Sequence, residues 1–136
     1  HVRRAEKRIE HDRITEALTN LPTHSKIVIV SVYLLNKANV RHSVTGDIYN
    51  VYGELCEKSS ITPLTQRRVS GLINELDVIG LLNTRVVSLG RYGRTKKIHL
   101  SISRTSITET FSHDERFGSL LDYVPRCLTT FLKNSS

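Results

Sequence analysis

A helical segment that runs directly into two strand segments is the feature that most restricts how this sequence folds. Residues 65–80 carry apolar side chains at helical spacing, and residues 81–88 and 95–102 alternate apolar and polar side chains as strands do. The turn between the strands, residues 89–94, contains Gly90 and Gly93. A helix followed at once by a hairpin predicts a winged helix-turn-helix.

The rest of the chain predicts an α+β, mainly α fold around that unit. Val2–Thr19 predicts an amphipathic helix, Thr23 is expected to cap a second helix ending near Lys37, and Thr45 to cap a third that ends at Ser59. The second helix is apolar on all sides and should form the buried centre. We therefore expect a winged helix-turn-helix with a two- or three-stranded antiparallel wing, an extra N-terminal helix and short C-terminal helices.

Two starting points are open for the fourth helix. One is Thr62 as the cap with Pro63 in the first position, and the other is Thr65 as the cap. The start at Thr65 is favoured because it gives one continuous buried stripe, made by Val69, Leu72, Ile73 and Leu76. Gly80 is expected to end the helix in the left-handed conformation.

The region after the hairpin is rich in Ser and Thr. Two capping-box patterns, which start at Ser106 and Ser112, predict one or two short helices up to Tyr123. Pro125 should end the helical run, and residues 126–136 are expected to be frayed. Three tyrosines on apolar helical faces are predicted to belong to the core: Tyr33, Tyr49 and Tyr52.

The positive charge is concentrated in the predicted helix and hairpin. Residues 61–104 contain eight Lys or Arg and two acids, a net +6 of the chain's +7, and residues 78–108 contain no acid. A sequence pI near 9.7 favours an anionic partner, with nucleic acid first and an acidic membrane or protein second. The charge pattern therefore indicates where such a partner would bind.

The fourth helix presents a polar face to that partner. On a helical wheel, the side opposite the buried stripe carries Arg67, Ser70, Gly71 and Asn74. The second helix of a helix-turn-helix enters the major groove with its N-terminal residues near base edges, which predicts base or phosphate contacts for Gln66, Arg67 and Ser70. Arg68 should lie beside them, toward the backbone of the nucleic acid. Gly71 either allows close approach to the anion or only permits close helix packing.

The hairpin supplies the other candidate contacts. Arg91 and Arg94 at its tip are predicted to enter an adjacent minor groove, where narrow A·T-rich stretches concentrate negative potential. Lys96 and Lys97 are predicted to lie on phosphates, and Arg85 adds to the basic surface. Two alternatives stay open: a winged helix that binds protein while its basic hairpin is solvated, and an arginine-glycine tract that binds RNA.

Other classes of function find little support in the sequence. There is no phosphate-binding loop of the GxxxxGK[ST] type and no ordered Ser/His/Asp motif, so we expect no enzyme activity. The six histidines have no metal-ligand spacing, and Cys56 and Cys127 are expected to be reduced, buried thiols. No apolar run is long enough to span a membrane, and the chain is expected to be cytoplasmic and nucleoid-associated.

Several blocks of the sequence also resemble a known family. They are residues 21–26 (LPTHSK), 45–52 (TGDIYNVY), 63–70 (PLTQRRVS) and 90–96 (GRYGRTK). In this order and spacing they resemble the C-terminal winged-helix domain of archaeal origin-recognition and cell-division-control replication initiators. The resemblance covers residues 2–100.

The resemblance implies a sharper function than the residues alone. It implies duplex DNA binding at replication origins and help in recruiting the replicative helicase. By position it assigns Thr65, Gln66, Arg67, Arg68 and Ser70 to the recognition helix. It assigns Arg91, Tyr92, Gly93, Arg94 and Lys96 to a wing that enters the minor groove. Gly71 departs from the family pattern, in which a polar residue, often Asp, is expected.

The family also implies partners that this sequence does not contain. Its members carry an AAA+ ATPase domain, whose motifs are absent here, so we expect a fragment that binds double-stranded DNA without ATP or another cofactor. Three regions are expected. Residues 1–22 form a helix that packs on or links to the missing ATPase domain, residues 23–104 form the winged helix, and residues 105–136 form short helices and a frayed tail.

Overall fold

The computed structural model describes residues 2–40 and 42–128, with side chains of the first helix from residue 6 onward. The helices are α1 (Val2–Thr19), α2 (Thr23–Lys37), α3 (Thr45–Lys58), α4 (Gln66–Val78) and α5 (Arg104–Phe111), with short 3-10 helices at Gly90–Tyr92 and Gly118–Asp122. Two antiparallel strands, β1 (Leu82–Ser88) and β2 (Arg94–Leu100), form the hairpin. The predicted fold, a mainly helical winged helix-turn-helix, is confirmed.

The apolar helix α2 forms the centre of the core, as its composition predicts. It packs against α3, α4, α5 and β2, and four consecutive residues, 27–30, are fully buried. Tyr33 and Tyr52 are buried and Tyr49 packs against the same cluster, so the three tyrosines do belong to the core. Cys56 is buried, Cys127 is half-buried, and both thiols are free.

Two of the predicted helix caps are wrong. Thr23 and Thr45 are the first helical residues, and the cap positions belong to Pro22 and Val44, which make no side-chain capping bond. The reason is that the carbonyl groups of Pro22 and Val44 already accept the first helical hydrogen bonds. For α4 the favoured cap is confirmed, since Oγ1 of Thr65 accepts the backbone N–H of Arg68 at 3.3 Å.

Three helices end in the same left-handed motif. Asn39, Ser60 and Gly80 follow α2, α3 and α4 with φ of 68°, 56° and 86°. After α4, the N–H of Leu81 donates to the carbonyl of Leu76, which satisfies a carbonyl at the helix end. The left-handed conformation expected for Gly80 is confirmed. Only Leu81 lies between Gly80 and the start of β1.

The hairpin is paired from Leu82↔Leu100 to Ser88↔Arg94, so β2 begins and ends earlier than predicted. Ser43 forms an isolated bridge with Ile98 and adds a third, single-residue strand position. The side of β1 that carries Leu82, Thr84 and Val86 is only partly buried: Leu82 is buried, but Val86 is 57% exposed. The reason is that the outer half of the hairpin projects beyond the core.

The capping boxes after the hairpin are also wrong, although the short helices are present. Ser103 caps α5 by accepting the N–H of Ser106, so Ser106 lies in the first turn of the helix. Ser112 follows the end of α5, and the next turn is capped by Asp114, whose Oδ1 accepts the backbone N–H groups of Arg116 and Phe117. Asp competes well for such positions because its side chain is short and charged.

The expected fraying after Pro125 is wrong for residues 126–128. These residues are helical, and the Glu54 carboxylate of α3 accepts the backbone N–H groups of Arg126 and Cys127 and the Tyr123 hydroxyl. Residues 129–136 lie outside the described part of the chain. One carboxylate of α3 thus attaches the C-terminal segment to the helix through three hydrogen bonds.

Helix α1 has the predicted bounds but is attached mainly through its C-terminal half. Leu18 is buried and Ile14 packs against the core, whereas Ile9 is 59% exposed. The helical spacing also places Val2 and Ala5 at apolar positions of α1, and their side chains lie outside the described part of the chain. Whether α1 contacts a further domain stays a prediction.

Two glycines in and after α4 should respond to alanine in opposite directions. Gly71→Ala places a methyl group where no atom lies within 4 Å, and alanine favours the helix, so the free energy of unfolding should rise by about 0.5–1 kcal/mol. Gly80→Ala forces a side chain into positive φ and should lower it by about 1 kcal/mol. Urea unfolding measures both changes. A free energy of unfolding that rises in both variants, or falls in both, would contradict the assigned end of α4.

The attachment of the C-terminal segment should depend on pH. Burial by itself would raise the pKa of Glu54, but hydrogen bonds from Cys127, Arg126 and Tyr123 outweigh it and lower the pKa below its ordinary 4.5. A lowered folded-state pKa stabilises the protein above the unfolded-state pKa, and this stabilisation is lost as the pH falls through the folded-state value.

Glu54→Gln should therefore cost about 1–3 kcal/mol near neutral pH, and the difference from the parent should shrink as the pH falls below about 4.5. Urea unfolding of both proteins from pH 7 to pH 3 measures it. Glu109→Gln, an exposed carboxylate of α5 that lies 3.1 Å from His11 of α1, is the matched control and should show a much smaller change. A Glu54→Gln difference that does not vary with pH would contradict the role of the carboxylate charge.

Candidate nucleic-acid interface

The polar side of α4 is open to solvent, as its sequence pattern predicts. Val69, Ile73 and Leu76 are buried against the core on one side of the helix. On the other side the exposed candidates are Gln66, Arg67, Arg68, Gly71 and Asn74, with Ser70 half-buried. Apart from its chain neighbours and the backbone of α4 itself, no atom lies within 4 Å of a Cβ built on Gly71, so the alternative that this glycine permits close helix packing is wrong.

The N-terminal end of α4 is suited to an anion. Thr65 and Gln66 are exposed, and the first turn of the helix contains no acidic residue. The unpaired N–H groups and the helix dipole make this end electropositive, and Arg67 and Arg68 add full charges beside it. The first turn of α4 therefore combines hydrogen-bond donors with positive charge on an exposed surface.

The basic residues of the hairpin are divided between its two faces. Arg85 pairs with Lys97 across the strands, and both lie on the face that carries His99. Lys96 pairs with Val86 on the other face, the one that includes the buried Ile98. The hairpin therefore presents positive charge on two sides.

The tip of the hairpin is the most exposed part of the candidate surface. Gly90 and Gly93 have φ of 66° and 93°, which places Arg91 and Tyr92 in a short 3-10 helix between them. Tyr92 is 79% exposed, and the Arg91 guanidinium lies 5.6 Å from the centre of its ring. Arg94 begins β2 beside them and is also exposed.

Two hydrogen bonds connect α4 to the hairpin, and sequence reasoning missed both. Lys96 Nζ donates to Asn74 Oδ1 at 3.0 Å, and Thr84 Oγ1 donates to Asp77 Oδ2. Asn74 and Lys96 had been predicted separately, as members of the helix and the wing. No local sequence pattern indicates such a bond, because its two residues belong to different elements and meet only when the hairpin packs beside α4.

Other kinds of site are not found in the described part of the chain. Residues 2–40 and 42–128 contain no group of three or more His, Cys, Asp or Glu arranged to hold a metal ion. His42 and His99 form an edge-on ring pair with centroids 5.3 Å apart, which is two potential ligands and not a full set. No described helix is long and apolar enough to cross a membrane.

The arrangement defines a class of protein. Helices α3 and α4 form a helix-turn-helix, α4 leads into a two-stranded hairpin, and Ser43 bridges to β2. These are the elements of a winged-helix domain in which α4, the second helix of the helix-turn-helix, has an exposed side.

The family follows from comparison with known proteins. The family model described as "CDC6, C terminal winged helix domain" matches residues 16–110, and the chain belongs to this family. It is 44% identical over 121 residues to the ORC1-type DNA replication protein of Thermococcus onnurineus, covering 89% of this chain and 29% of that protein. It is 46% identical over 125 residues to ORC1-type DNA replication protein 4 of Haloarcula marismortui, covering 92% and 24%.

Solved structures support the same assignment. The Aeropyrum pernix ORC1 protein in complex with DNA matches with a TM-score of 0.82 and 40% identity, over 89% of this chain and 31% of that one. The Drosophila ORC bound to DNA matches in fold, with a TM-score of 0.60, 16% identity and coverage of 71% of this chain and 24% of that one. The chain thus spans less than a third of the length of these relatives, and the resemblance seen in the sequence is confirmed.

The two bonds between α4 and the hairpin should differ in strength. Asp77→Asn removes a charged acceptor from a half-buried position and should lower the free energy of unfolding by about 1–2 kcal/mol. Asn74→Ala removes an exposed acceptor and should change it by less than about 0.5 kcal/mol. Urea unfolding measures both. A larger loss for Asn74→Ala would show that the Lys96 bond is the stronger connection.

Proposed function

We propose that this chain binds duplex DNA at replication origins, as the winged-helix domain of an archaeal replication initiator. The observation that carries the proposal is the exposed, basic first turn of α4 beside a basic hairpin with an exposed tip. In this arrangement α4 lies in the major groove and the wing enters the adjacent minor groove. The Aeropyrum pernix relative, whose structure is a complex with DNA, supports the proposal.

The proposed roles of the α4 residues follow from their chemistry. Gln66, Arg67 and Ser70 face the base edges, where Arg suits guanine and Gln suits adenine as bidentate partners. Arg68 contacts the backbone, and Thr65 orders the first turn as its cap. Because Gly71 leaves open space on this face, the DNA can approach the helix closely there.

The proposed roles of the wing residues follow from the two faces of the hairpin. Arg91, Tyr92 and Arg94 occupy the minor groove, with Gly90 and Gly93 shaping the tip. Lys97 and Arg85 contact phosphates on one side of the wing. On the other side, Lys96 donates one N–H to Asn74 and has two further donors for a phosphate near α4.

We further propose that this segment binds DNA without catalysis and without a cofactor. Binding to origins would place it on chromosomal DNA. The absence of catalytic motifs in its sequence supports this view. Activity that depends on ATP would belong to parts of the relatives that this chain does not cover.

A second candidate is docking of the replicative helicase or of an ATPase domain, and one observation favours it. Val78 and Ile79 at the C-terminal end of α4 are 86% and 54% exposed, and Ile9 of α1 is 59% exposed. Ile9 and Ile79 line one surface groove together with Ile102. Apolar side chains grouped at a surface in this way indicate a protein partner.

Salt dependence tests the DNA-binding proposal. If four or five phosphates are neutralised, log K for duplex DNA should fall against log salt with a slope of about −4. Arg91→Ala with Arg94→Ala should weaken all duplexes and A·T-rich duplexes most. Arg85→Ala with Lys97→Ala, which removes two proposed phosphate contacts, should reduce the magnitude of that slope by about 2. Arg67→Ala should instead cost about 1–3 kcal/mol at one base position. Fluorescence anisotropy with labelled duplexes measures each effect.

The matched control replaces two exposed basic residues outside the proposed interface. Lys7→Ala with Arg8→Ala removes the same charge from α1 and should leave the slope nearly unchanged. A slope near zero for the parent chain would refute duplex binding. Stronger binding to single strands than to duplexes would favour the RNA alternative, and helicase capture without DNA binding would favour docking.

A further inference from the structure

The loop between α3 and α4 determines where the proposed recognition helix begins. Residues 61–65 have no regular secondary structure, and Thr65, the last of them, is the cap of α4. Leu64 immediately precedes that cap. Any change in the position of Leu64 would therefore be passed directly to the first turn of the helix.

Two tyrosines of α3 hold both polar backbone groups of Leu64. Tyr49 Oη donates to the Leu64 carbonyl at 2.8 Å, and the Leu64 N–H donates to Tyr52 Oη at 2.8 Å. Tyr49 and Tyr52 are three residues apart and lie on one side of α3, with their rings stacked at a centroid distance of 5.8 Å. The two tyrosine hydroxyl groups therefore bind both the carbonyl and the N–H of one residue.

A third bond attaches this arrangement to the central helix. Tyr52 Oη lies 2.8 Å from Nδ1 of His24, in the first turn of α2. Because the Leu64 N–H already donates to this oxygen, the hydroxyl hydrogen of Tyr52 is available for His24. Tyr52 is fully buried, and burial raises the pKa of its hydroxyl to about 12, so the group keeps its proton at ordinary pH.

We propose that Tyr49 and Tyr52 are positioning residues for base recognition, acting through Leu64 to fix where α4 begins. This inference rests on the proposed function. A helix moves as a unit, so a displaced first turn shifts Gln66, Arg67 and Ser70 together relative to the base edges. Neither tyrosine contacts DNA in this arrangement.

The effect should fall on sequence preference more than on general affinity. Hydrogen bonds to base edges require close distances and aligned donors, whereas attraction to phosphates tolerates displacement. The basic side chains of the wing lie on the hairpin, whose base is held by burial of Leu82 and Ile98, so they should respond less than the first turn of α4. Loss of either tyrosine hydroxyl should therefore leave binding to an arbitrary duplex almost unchanged while binding to the preferred duplex weakens.

The experiment compares Tyr49→Phe and Tyr52→Phe with the parent chain. The probes are a duplex selected from a random pool by the parent chain and a shuffled duplex of the same composition. For each variant the ratio of the two affinities should fall by about three- to tenfold, the effect of roughly one hydrogen bond, at constant affinity for the shuffled duplex. Amide exchange at Leu64 should become faster in Tyr52→Phe, which removes the acceptor of its N–H.

Tyr33→Phe is the matched control, because Tyr33 is a buried core tyrosine of α2, whereas the backbone groups of Leu64 bond to Tyr49 and Tyr52. It should keep the parent ratio whatever its effect on stability. If Tyr52→Phe does not fold, Tyr49→Phe carries the test, since its ring is only partly buried.

The outcomes separate the inference from the proposed function. Parent-like ratios in both variants, with or without a loss of stability, would overturn the positioning role while leaving DNA binding intact. An equal loss of ratio in Tyr33→Phe would also overturn it, since any buried tyrosine would then have the same effect. A parent chain that binds neither duplex would refute the proposed function and the inference with it.

Discussion

Burial of α2 on all sides is the constraint on which the rest of the structure depends. Because α3, α4, α5 and β2 each place their apolar side against this one helix, their remaining sides are left for solvent. The angle between α3 and α4, and hence the exposure of the polar face of α4, follows from how both helices pack on α2. Tyr52 strengthens this arrangement with a polar contact, since it joins α2, α3 and the loop before α4 through His24 and Leu64.

The hairpin is attached differently at its two ends. Near α4, Leu82 and Ile98 are buried and Ser43 bridges to Ile98, so this part belongs to the core. Farther out, Val86 and Tyr92 are exposed, and polar bonds such as that of Lys96 with Asn74 replace apolar packing. In the proposed mode of binding, a buried base keeps the hairpin in place beside α4, whereas an exposed tip is free to adjust to a groove.

Local patterns predicted the elements well and their connections poorly. The bounds of α1, the buried α2, the Thr65 cap and the Gly80 turn depend on residues close in sequence, and each was predicted. The caps at Thr23 and Thr45 were wrong because the preceding residue can adopt the cap geometry without a capping side chain.

The interactions that organise the candidate site are long-range, and sequence spacing does not reveal them. The tyrosines of α3 were recognised as core residues from their apolar surroundings, but nothing in the pattern indicated that their hydroxyl groups bind Leu64. Glu54 is similar, because its acceptors meet Tyr123, Arg126 and Cys127 only after the C-terminal segment has packed on α3. The pairing of Arg85 with Lys97 on one face of the wing also required the register of the strands.

The two candidate functions are compatible because they use opposite ends of α4. The basic N-terminal turn faces the proposed DNA, and the exposed Val78 and Ile79 lie at the other end of the 13-residue helix, about 20 Å away. A protein bound at Val78 and Ile79 would not cover the first turn, and the rigid helix would fix its orientation relative to the duplex. Joining the proposed DNA-binding surface to a second DNA-contacting domain would raise its effective local concentration and with it the overall affinity.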